Sequence, residues 1–166
     1  MAEYWDLTKE SAHPKAVELL TEEFFWCGID GNSPLGNDTG ADVLQFFYEW
    51  RRSNITTPCM EFLNEILRKW QVDTKGWDVV DPEVIKANLA LHHIAPIAMS
   101  IHDDTTIAAA FAQLVLEGSI DPEVKVRAVT AVTRQSLDVV IKDRGWRNPD
   151  ERKVRLSQMK RVLIFV

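Results

Sequence analysis

The signals that begin helices constrain the fold of this chain more than any other feature. Four of the seven prolines directly follow a Thr, Asp or Asn, at Thr57, Asp81, Asp121 and Asn148. That order is typical of a helix N-cap followed by a proline in the first turn. Apolar residues then recur at helical spacing. No alternating pattern persists, although the apolar end of the chain, 162–166, is short enough to be a strand. The sequence therefore predicts an all-α fold.

Together these signals predict a single helical domain over residues 1–166, a bundle of about six to seven helices. The expected spans are about 14–25, 41–52, 58–71, 82–92, 105–117, 122–142 and 149–166. The expected N-caps of the first, second and fifth helices are Ser11, then Asp38 or Thr39, then Asp103 or Asp104. Gly118 is expected to end the fifth helix, and Pro96 to end or kink the segment before it.

A short internal echo links two of these helix starts. The tetrapeptide DPEV occurs at 81–84 and again at 121–124, forty residues apart. An acidic cap followed by proline and an amphipathic helix resembles the opening of the second helix in HEAT-type repeats, whose period is about 40 residues. The resemblance covers only 81–142. It implies stacked helix pairs used for protein contacts, and chance recurrence of a common helix start is the alternative.

Composition bounds the class of protein. A chain of 166 residues with 46% hydrophobic residues is large enough to build one core without disulfides or a structural metal. The two cysteines, Cys27 and Cys59, lie in apolar stretches and favour buried free thiols over a disulfide, and no CxxC pair indicates zinc. The first residues are charged and form no apolar stretch, which predicts no signal peptide. No apolar run is long enough to span a bilayer, so the predicted location is cytoplasmic.

Charge is distributed unevenly along the chain. Residues 1–50 carry ten Asp and Glu against two Lys, whereas residues 142–166 carry eight Lys and Arg against three acids. A strongly acidic half disfavours a nucleic-acid partner there and suits a basic protein. Trp146, within the basic segment, would suit base stacking, but a solvated helix face is the favoured interpretation. A nucleic-acid partner is therefore not expected.

The segment 30–42 is the richest in polar residues and glycine. As a calcium loop it would need glycine at its sixth position and glutamate at its twelfth, where Leu35 and Ala41 stand. The match fails, so no metal is predicted here. Asp38 and Asp42 are instead expected to cap the second helix and to complement its dipole.

The same region carries a family resemblance. An aromatic cluster at 22–26, EEFFW, is followed by SPLGNDTGAD at 33–42 and then by a helix rich in aromatic residues. This arrangement, over about the first 55 residues, resembles a small, uncharacterised bacterial family, the YfeS-like proteins, which have a "GND" turn before a helix. The resemblance implies a bacterial source, but it supplies no activity and no catalytic residue.

A second polar cluster is the other candidate for metal chemistry. His92, His93, His102, Asp103 and Asp104 are five ligand-type residues within thirteen. They supply an alternative hypothesis, a metal-dependent hydrolase that uses the first four of them. Capping by the two aspartates and a favourable helix-end position of His92 and His93 are the favoured interpretation. No cofactor is predicted.

The absence of a catalytic motif and the uneven charge favour a binding protein over an enzyme. The leading hypothesis is a bacterial immunity or antitoxin-type protein that neutralises a cationic toxin through an acidic surface. A HEAT-like scaffold is a third hypothesis. The residues expected to contact the partner flank the 30–42 loop and are Glu22, Glu23, Asp30, Asp38 and Asp42.

Overall fold

The computed structural model describes residues 4–166 and shows that they form an all-α domain. No strand occurs among these residues. The described chain contains eight α-helices, seven of them with seven or more residues, and one short 3-10 helix at Glu23–Trp26. The α-helices are α1 Pro14–Leu19, α2 Asp38–Ser53, α3 Cys59–Lys69, α4 Pro82–Leu89, α5 Ala95–Glu117, α6 Pro122–Gln135, α7 Asp138–Arg144 and α8 Pro149–Phe165.

Helix α5 lies at the centre of the fold, where it contacts α1, α2, α3, α4 and α6. Every residue from Thr105 to Val115 is buried, on all sides of the helix. A helix that is apolar all round is a core helix, and its alanines, at 108–110 and 112, let neighbours approach closely. Phe111 stacks against Phe25 with ring centroids 5.6 Å apart. The core is therefore built around one long helix.

The start of α5 corrects one prediction. Asp103 and Asp104 do not cap a helix, because α5 begins eight residues earlier, at Ala95, with Pro96 in its first turn. Proline is well tolerated there, since the first N–H groups of a helix have no intrahelical acceptor. Both aspartates therefore lie inside the helix. The predicted end at Gly118 is confirmed: this residue is left-handed, with φ 74°.

Helix α2 has a different cap from the one predicted. It begins at Asp38, and the cap is Asn37, whose Oδ1 accepts a hydrogen bond of 2.8 Å from the Gly40 N–H. Asp38 therefore occupies the first turn, where its charge complements the helix dipole, and is not the N-cap. The predicted span 41–52 was three residues short at its N-terminus.

This difference gives a direct test. Asn37→Ala should lower the free energy of unfolding by about 1 kcal/mol, because the Gly40 N–H loses its acceptor. Asp38→Ala should cost less, since it removes only an exposed charge near the helix start. Denaturant titration of both variants measures the two values. A larger loss for Asp38→Ala would contradict the assignment of Asn37 as the cap.

Other helix boundaries also differ from the predictions. The third helix begins at Cys59, and its N-cap is Pro58 without a side-chain hydrogen bond, so Thr57 is not its cap. The first helix is capped by His13 Nδ1, not Ser11, and ends at Leu19, after which the 3-10 helix turns Phe24 and Phe25 into the core. The helix predicted over 122–142 is two helices, because Ser136 and Leu137 end α6 and start α7 in a new direction. The end of the chain is helical to Phe165, so it is not a strand.

The two DPEV segments both begin helices as predicted. Asp81 Oδ1 accepts hydrogen bonds from the Glu83 and Val84 N–H groups, and Asp121 Oδ1 accepts one from Glu123 N–H. Their surroundings differ, however: Val84 is 45% exposed, whereas Val124 is fully buried. The tetrapeptide thus marks two helix starts whose environments are not equivalent.

Candidate functional site

One exposed side of α2 carries a line of carboxylates. Asp38, Asp42 and Glu49 are all exposed, and at 100° per residue they fall within about 40° of one another around the helix. No hydrogen bond or ion pair within the described part of the chain engages these three side chains. At a rise of 1.5 Å per residue they extend over about 16 Å. We call these three residues the acidic stripe.

Aromatic side chains bridge α2 and α3 beside the acidic stripe. Phe47 and Phe62 meet edge to face with centroids 5.1 Å apart, and Trp50 lies 5.5 Å from Phe62. Phe46 lies 6.2 Å from Trp70 in a similar edge contact. Large rings hold the helices together while leaving a groove of about 200 Å³ between them. We call this the aromatic groove; it is lined by Phe46, Glu49, Trp50, Phe62, Glu65, Ile66, Lys69 and Trp70.

The aromatic groove combines apolar walls with charged groups. Glu49 belongs to both the stripe and the groove, and Glu65 is oriented by a 3.1 Å hydrogen bond from Trp50 Nε1. The Lys69 ammonium lies 5.6 Å from the centroid of the Phe46 ring, a cation–π contact. The groove thus holds two carboxylates and one ammonium. The contact between Lys69 and Phe46 is an example of a cation lying against its aromatic wall.

Two of the predicted contact residues are neutralised within the fold. Glu22 forms a two-point ion pair with Arg161 of α8, with distances of 2.7 and 2.8 Å. Burial alone would raise the pKa of Glu22, but hydrogen bonds, above all from Arg161, lower the pKa below its usual value. Glu23 pairs with Lys9 at 2.6 Å. Glu22 and Glu23 therefore each have a cationic partner within the fold, which Asp38 and Asp42 lack among the described residues.

Asp30 also has a local structural role. Its Oδ1 accepts a hydrogen bond of 2.8 Å from the Asn32 N–H, which closes a turn at the start of the polar loop. Of the five predicted contact residues, Asp38 and Asp42 lie together in the acidic stripe. The third member of the stripe, Glu49, was not among the predicted residues. The spacing 38, 42, 49 was a usable signal, since it places three acids on one helix face.

The predicted basic segment is largely engaged inside the molecule. Arg144 pairs with Asp104 at 3.0 Å, and Arg152 is buried against the Trp146 ring, 4.3 Å from its centroid. Burial lowers the pKa of Arg152 to about 10, so the group is still cationic at neutral pH. Trp146 is therefore covered by a neighbouring guanidinium and does not stand free for base stacking.

The histidines and aspartates of the second polar cluster are spread over different environments. His92 and His93 are exposed in the turn between α4 and α5, whereas His102 is only 6% exposed and Asp103 is fully buried. Among residues 4–166, no three His, Cys, Asp or Glu side chains converge in a way that could hold a metal ion. The metal-dependent hydrolase stays a prediction that has gained no geometric support.

Asp103 is instead the centre of a buried ion pair. Arg134 Nε and Nη2 donate to the two carboxylate oxygens of Asp103 at 2.9 and 2.7 Å. The remaining nitrogen, Nη1, donates to the carbonyl oxygens of Trp77 and Val79 at 2.8 and 2.7 Å. Arg134 therefore ties α5, α6 and the connection before α4 together.

The two cysteines lie in different environments. Both are free; Cys27 is half-buried and Cys59 is completely buried. Burial raises the pKa of Cys59 to about 12, which keeps it a neutral thiol at physiological pH.

None of the helices in the described residues combines the length and apolar character needed to cross a bilayer.

Steric constraints explain why glycine occupies positions 36 and 40 in and beside the "GND" segment. A Cβ on Gly36 would overlap the carbonyl oxygen of Cys27, and a Cβ on Gly40 would overlap that of Pro34. Both glycines thus let the loop fold tightly against the start of α2. The motif that carries the family resemblance is accordingly a packing motif that fixes the position of the acidic stripe.

A comparison with known proteins agrees with that resemblance. The chain is 26% identical over 133 residues to the "Uncharacterized protein YfeS" of Escherichia coli (strain K12), an alignment that covers 80% of this chain. The chain is a distant homologue of YfeS. It spans about half the length of YfeS, 53%. The similarity therefore extends well beyond the 55 residues on which the resemblance was based.

No family model and no solved structure matches this chain. The name of YfeS carries no activity, so the homology transfers no function to this chain. The acidic stripe and the aromatic groove are therefore the features of this chain that suggest a function.

Proposed function

We propose that this chain is a binding protein that recognises a basic protein through the acidic stripe and the aromatic groove. The observation that carries the proposal is the adjacency of three exposed carboxylates without partners in the described chain to a groove with four aromatic side chains. Carboxylates steer a cationic partner, whereas buried aromatic contacts supply most of the affinity of an interface.

The size and chemistry of the aromatic groove favour a single cationic side chain as its occupant. At about 200 Å³ it is smaller than the roughly 300–1,000 Å³ of pockets for drug-sized ligands. A guanidinium stacks on aromatic faces and pairs with carboxylates in a planar fork. An arginine of the partner could therefore stack on the ring of Trp50 or Trp70 and form an ion pair with Glu65. Lys69 would be displaced from Phe46 as the partner enters.

A bacterial immunity or antitoxin-type protein that neutralises a cationic toxin is the specific form of this proposal. Three properties support it: the acidic N-terminal half, the small all-α domain, and an exposed recognition face without a nearby catalytic group. An acidic surface accelerates capture of a basic partner at physiological ionic strength, where the Debye length is about 8 Å.

The test is charge reversal of the acidic stripe. The variant Asp38→Lys/Asp42→Lys/Glu49→Lys should lower the association rate with the partner by about tenfold or more, because it reverses the steering field. The partner is first captured from cells of the source organism with the wild-type chain, identified by mass spectrometry and purified. Stopped-flow association at several salt concentrations then gives the rate and its salt dependence.

A matched control separates local from overall charge. Glu10→Lys/Asp78→Lys/Asp143→Lys makes the same change in net charge at three other exposed carboxylates. We expect this control to retain an association rate close to that of the wild type. Equal rates and equal salt dependence for both triple variants would refute the acidic stripe as the recognition face.

A further inference from the structure

Helical periodicity brings the walls of the aromatic groove together. Its α2 residues, Phe46, Glu49 and Trp50, follow the spacing i, i+3, i+4, which places them on one face of the helix. Its α3 residues begin at Phe62 and follow the same spacing, and Trp70 is the C-cap of that helix. The groove is therefore built on two rigid helices and does not depend on a loop.

The aromatic rings of the groove lie in two pairs. Phe46 and Trp70 form one pair, with centroids 6.2 Å apart, and Trp50 and Phe62 form the other, with centroids 5.5 Å apart. Phe46 is 40% exposed, and Trp50 and Trp70 are half-buried. A ligand that arrives from solvent can therefore reach rings of both pairs. The face of an aromatic ring is negative and attracts cations.

Two cations of the chain already contact these rings. The Lys69 ammonium lies 5.6 Å from the Phe46 centroid, and the Arg51 guanidinium lies 5.1 Å from that of Trp50, both within the range of a cation–π contact. Arg51 does not line the groove, so the part of Trp50 that does line it is open. Lys69 lines the groove but is exposed, so a ligand can displace its ammonium into water.

The charges of the groove favour a cationic ligand over an anionic one. The carboxylates of Glu49 and Glu65 against the ammonium of Lys69 leave the lining with a net charge of −1. Glu65 is held in place by the hydrogen bond of 3.1 Å from Trp50 Nε1. An anion is therefore repelled, and a cation is attracted to the carboxylates as well as to the rings.

The hydrogen-bonding capacity of the groove narrows the kind of cation. A primary ammonium has three N–H donors, whereas the side-chain acceptors that line the groove are the carboxylates of Glu49 and Glu65. A donor that is buried against rings without an acceptor is costly. A trimethylammonium group has no N–H donor, and aromatic rings bind such groups through their faces. It therefore fits these walls without further acceptors.

We propose that the aromatic groove binds a small, free compound with a trimethylammonium group, of the choline class. The head group lies against the rings of Phe46, Trp50 and Trp70, beside the Glu65 carboxylate, and takes the place of the Lys69 ammonium. At about 200 Å³ the groove suits a compact head group better than a drug-sized molecule. The inference goes beyond the proposed function, because it requires no protein partner.

The experiment titrates the full chain with choline and with the neutral alcohol that has a carbon atom in place of the charged nitrogen (dimethylbutanol). NMR follows the indole N–H signals, and sodium chloride keeps the ionic strength equal in all samples. Choline should shift the signals of Trp50 and Trp70 and not those of Trp26 and Trp146, which do not line the groove. The alcohol should bind about tenfold more weakly, because it lacks the cation–π attraction. Equal affinities, or no shift of Trp50 and Trp70 with choline, would overturn the proposal.

Two charge variants test the location of the cation. Glu65→Gln keeps an acceptor for Trp50 Nε1 but removes the charge, so it should weaken choline binding by about threefold or more. Glu10→Gln, the same change at an exposed residue outside the groove, should not. Lys69→Gln should strengthen choline binding, because the competing ammonium is gone. If Glu65→Gln binds choline as tightly as the wild type, or if Lys69→Gln gains nothing, the cation does not lie in the groove.

A peptide that contains one trimethyllysine distinguishes a free compound from a methylated protein side chain with the same head group. Affinities of choline and the peptide within about tenfold of each other support the free compound, because the head group alone then supplies most of the binding. A peptide that binds more tightly than that would reassign the groove to a methylated protein and overturn the choice of ligand. Neither outcome bears on the acidic stripe, whose triple variant leaves Glu65, Lys69 and the aromatic rings unchanged.

Discussion

Replacing Arg134 with methionine is expected to lower the free energy of unfolding by about 3–5 kcal/mol, a large fraction of the stability of a domain this size. The substitution leaves Asp103 buried as an uncompensated charge, since its side chain is 1% exposed. It also removes the donor to the Trp77 and Val79 carbonyl oxygens. Both losses act together because one guanidinium makes all these contacts.

The measurement is chemical denaturation monitored by circular dichroism. Lys15→Met is the control: the ion pair of Lys15 with Glu18 is longer, 3.6 Å, and both side chains are exposed, so its loss should cost less than about 1 kcal/mol. The double variant Asp103→Leu/Arg134→Met should recover part of the loss, because no buried charge remains. Equal losses of stability for Lys15→Met and Arg134→Met would show that the buried ion pair contributes no more than an exposed one.

Local signals predicted four helix boundaries correctly. Asp81, Asp121 and Asn148 cap α4, α6 and α8 as the sequence indicated, and Gly118 ends α5. These features depend on residues within one turn of each other, so the sequence contains nearly all the information. The all-α class followed from the same signals.

The predictions were wrong where residues far away along the chain determine the local structure. Aspartate is a common helix cap, yet Asp103 and Asp104 lie within α5. Asp103 pairs with Arg134, 31 residues later, and Asp104 pairs with Arg144, 40 residues later. A buried carboxylate inside a helix requires such compensation. One sequence does not show which of the basic residues provides it, so the two aspartates were assigned to the nearest local role.

The candidate site also combines features that local sequence specifies with features that depend on distant residues. Asp38 and Asp42 lie on the same exposed side of α2, as the local periodicity of a helix specifies. Glu22 was lost from it through its pair with Arg161, which lies 139 residues away along the chain. The aromatic groove depends on α3 standing beside α2, a tertiary contact that periodicity does not specify. Charge sums along a segment therefore overestimate the free acidic surface.

The tight loop before α2 yields the second large effect on stability. The double variant Gly36→Ala/Gly40→Ala should lower the free energy of unfolding by about 2–6 kcal/mol, from about 1–3 kcal/mol for each overlap. The Cβ at Gly40 would also come within 2.9 Å of the Pro34 carbonyl carbon, and the Cβ at Gly36 within 2.8 Å of the Asp30 carbonyl oxygen. Backbone atoms cannot move aside as a flexible side chain can, so the loop itself must shift.

Two glycines in the same loop provide the control. Gly28 and Gly31 have nothing within 4 Å of an added Cβ, so Gly28→Ala/Gly31→Ala should change stability by less than about 1 kcal/mol. Thermal and denaturant unfolding of the two double variants measures the contrast. If both pairs behave alike, close packing is not the reason for the glycines of the "GND" segment. If only the first pair destabilises, Gly36 and Gly40 are required by the tight loop that positions the start of α2 and, with it, the acidic stripe.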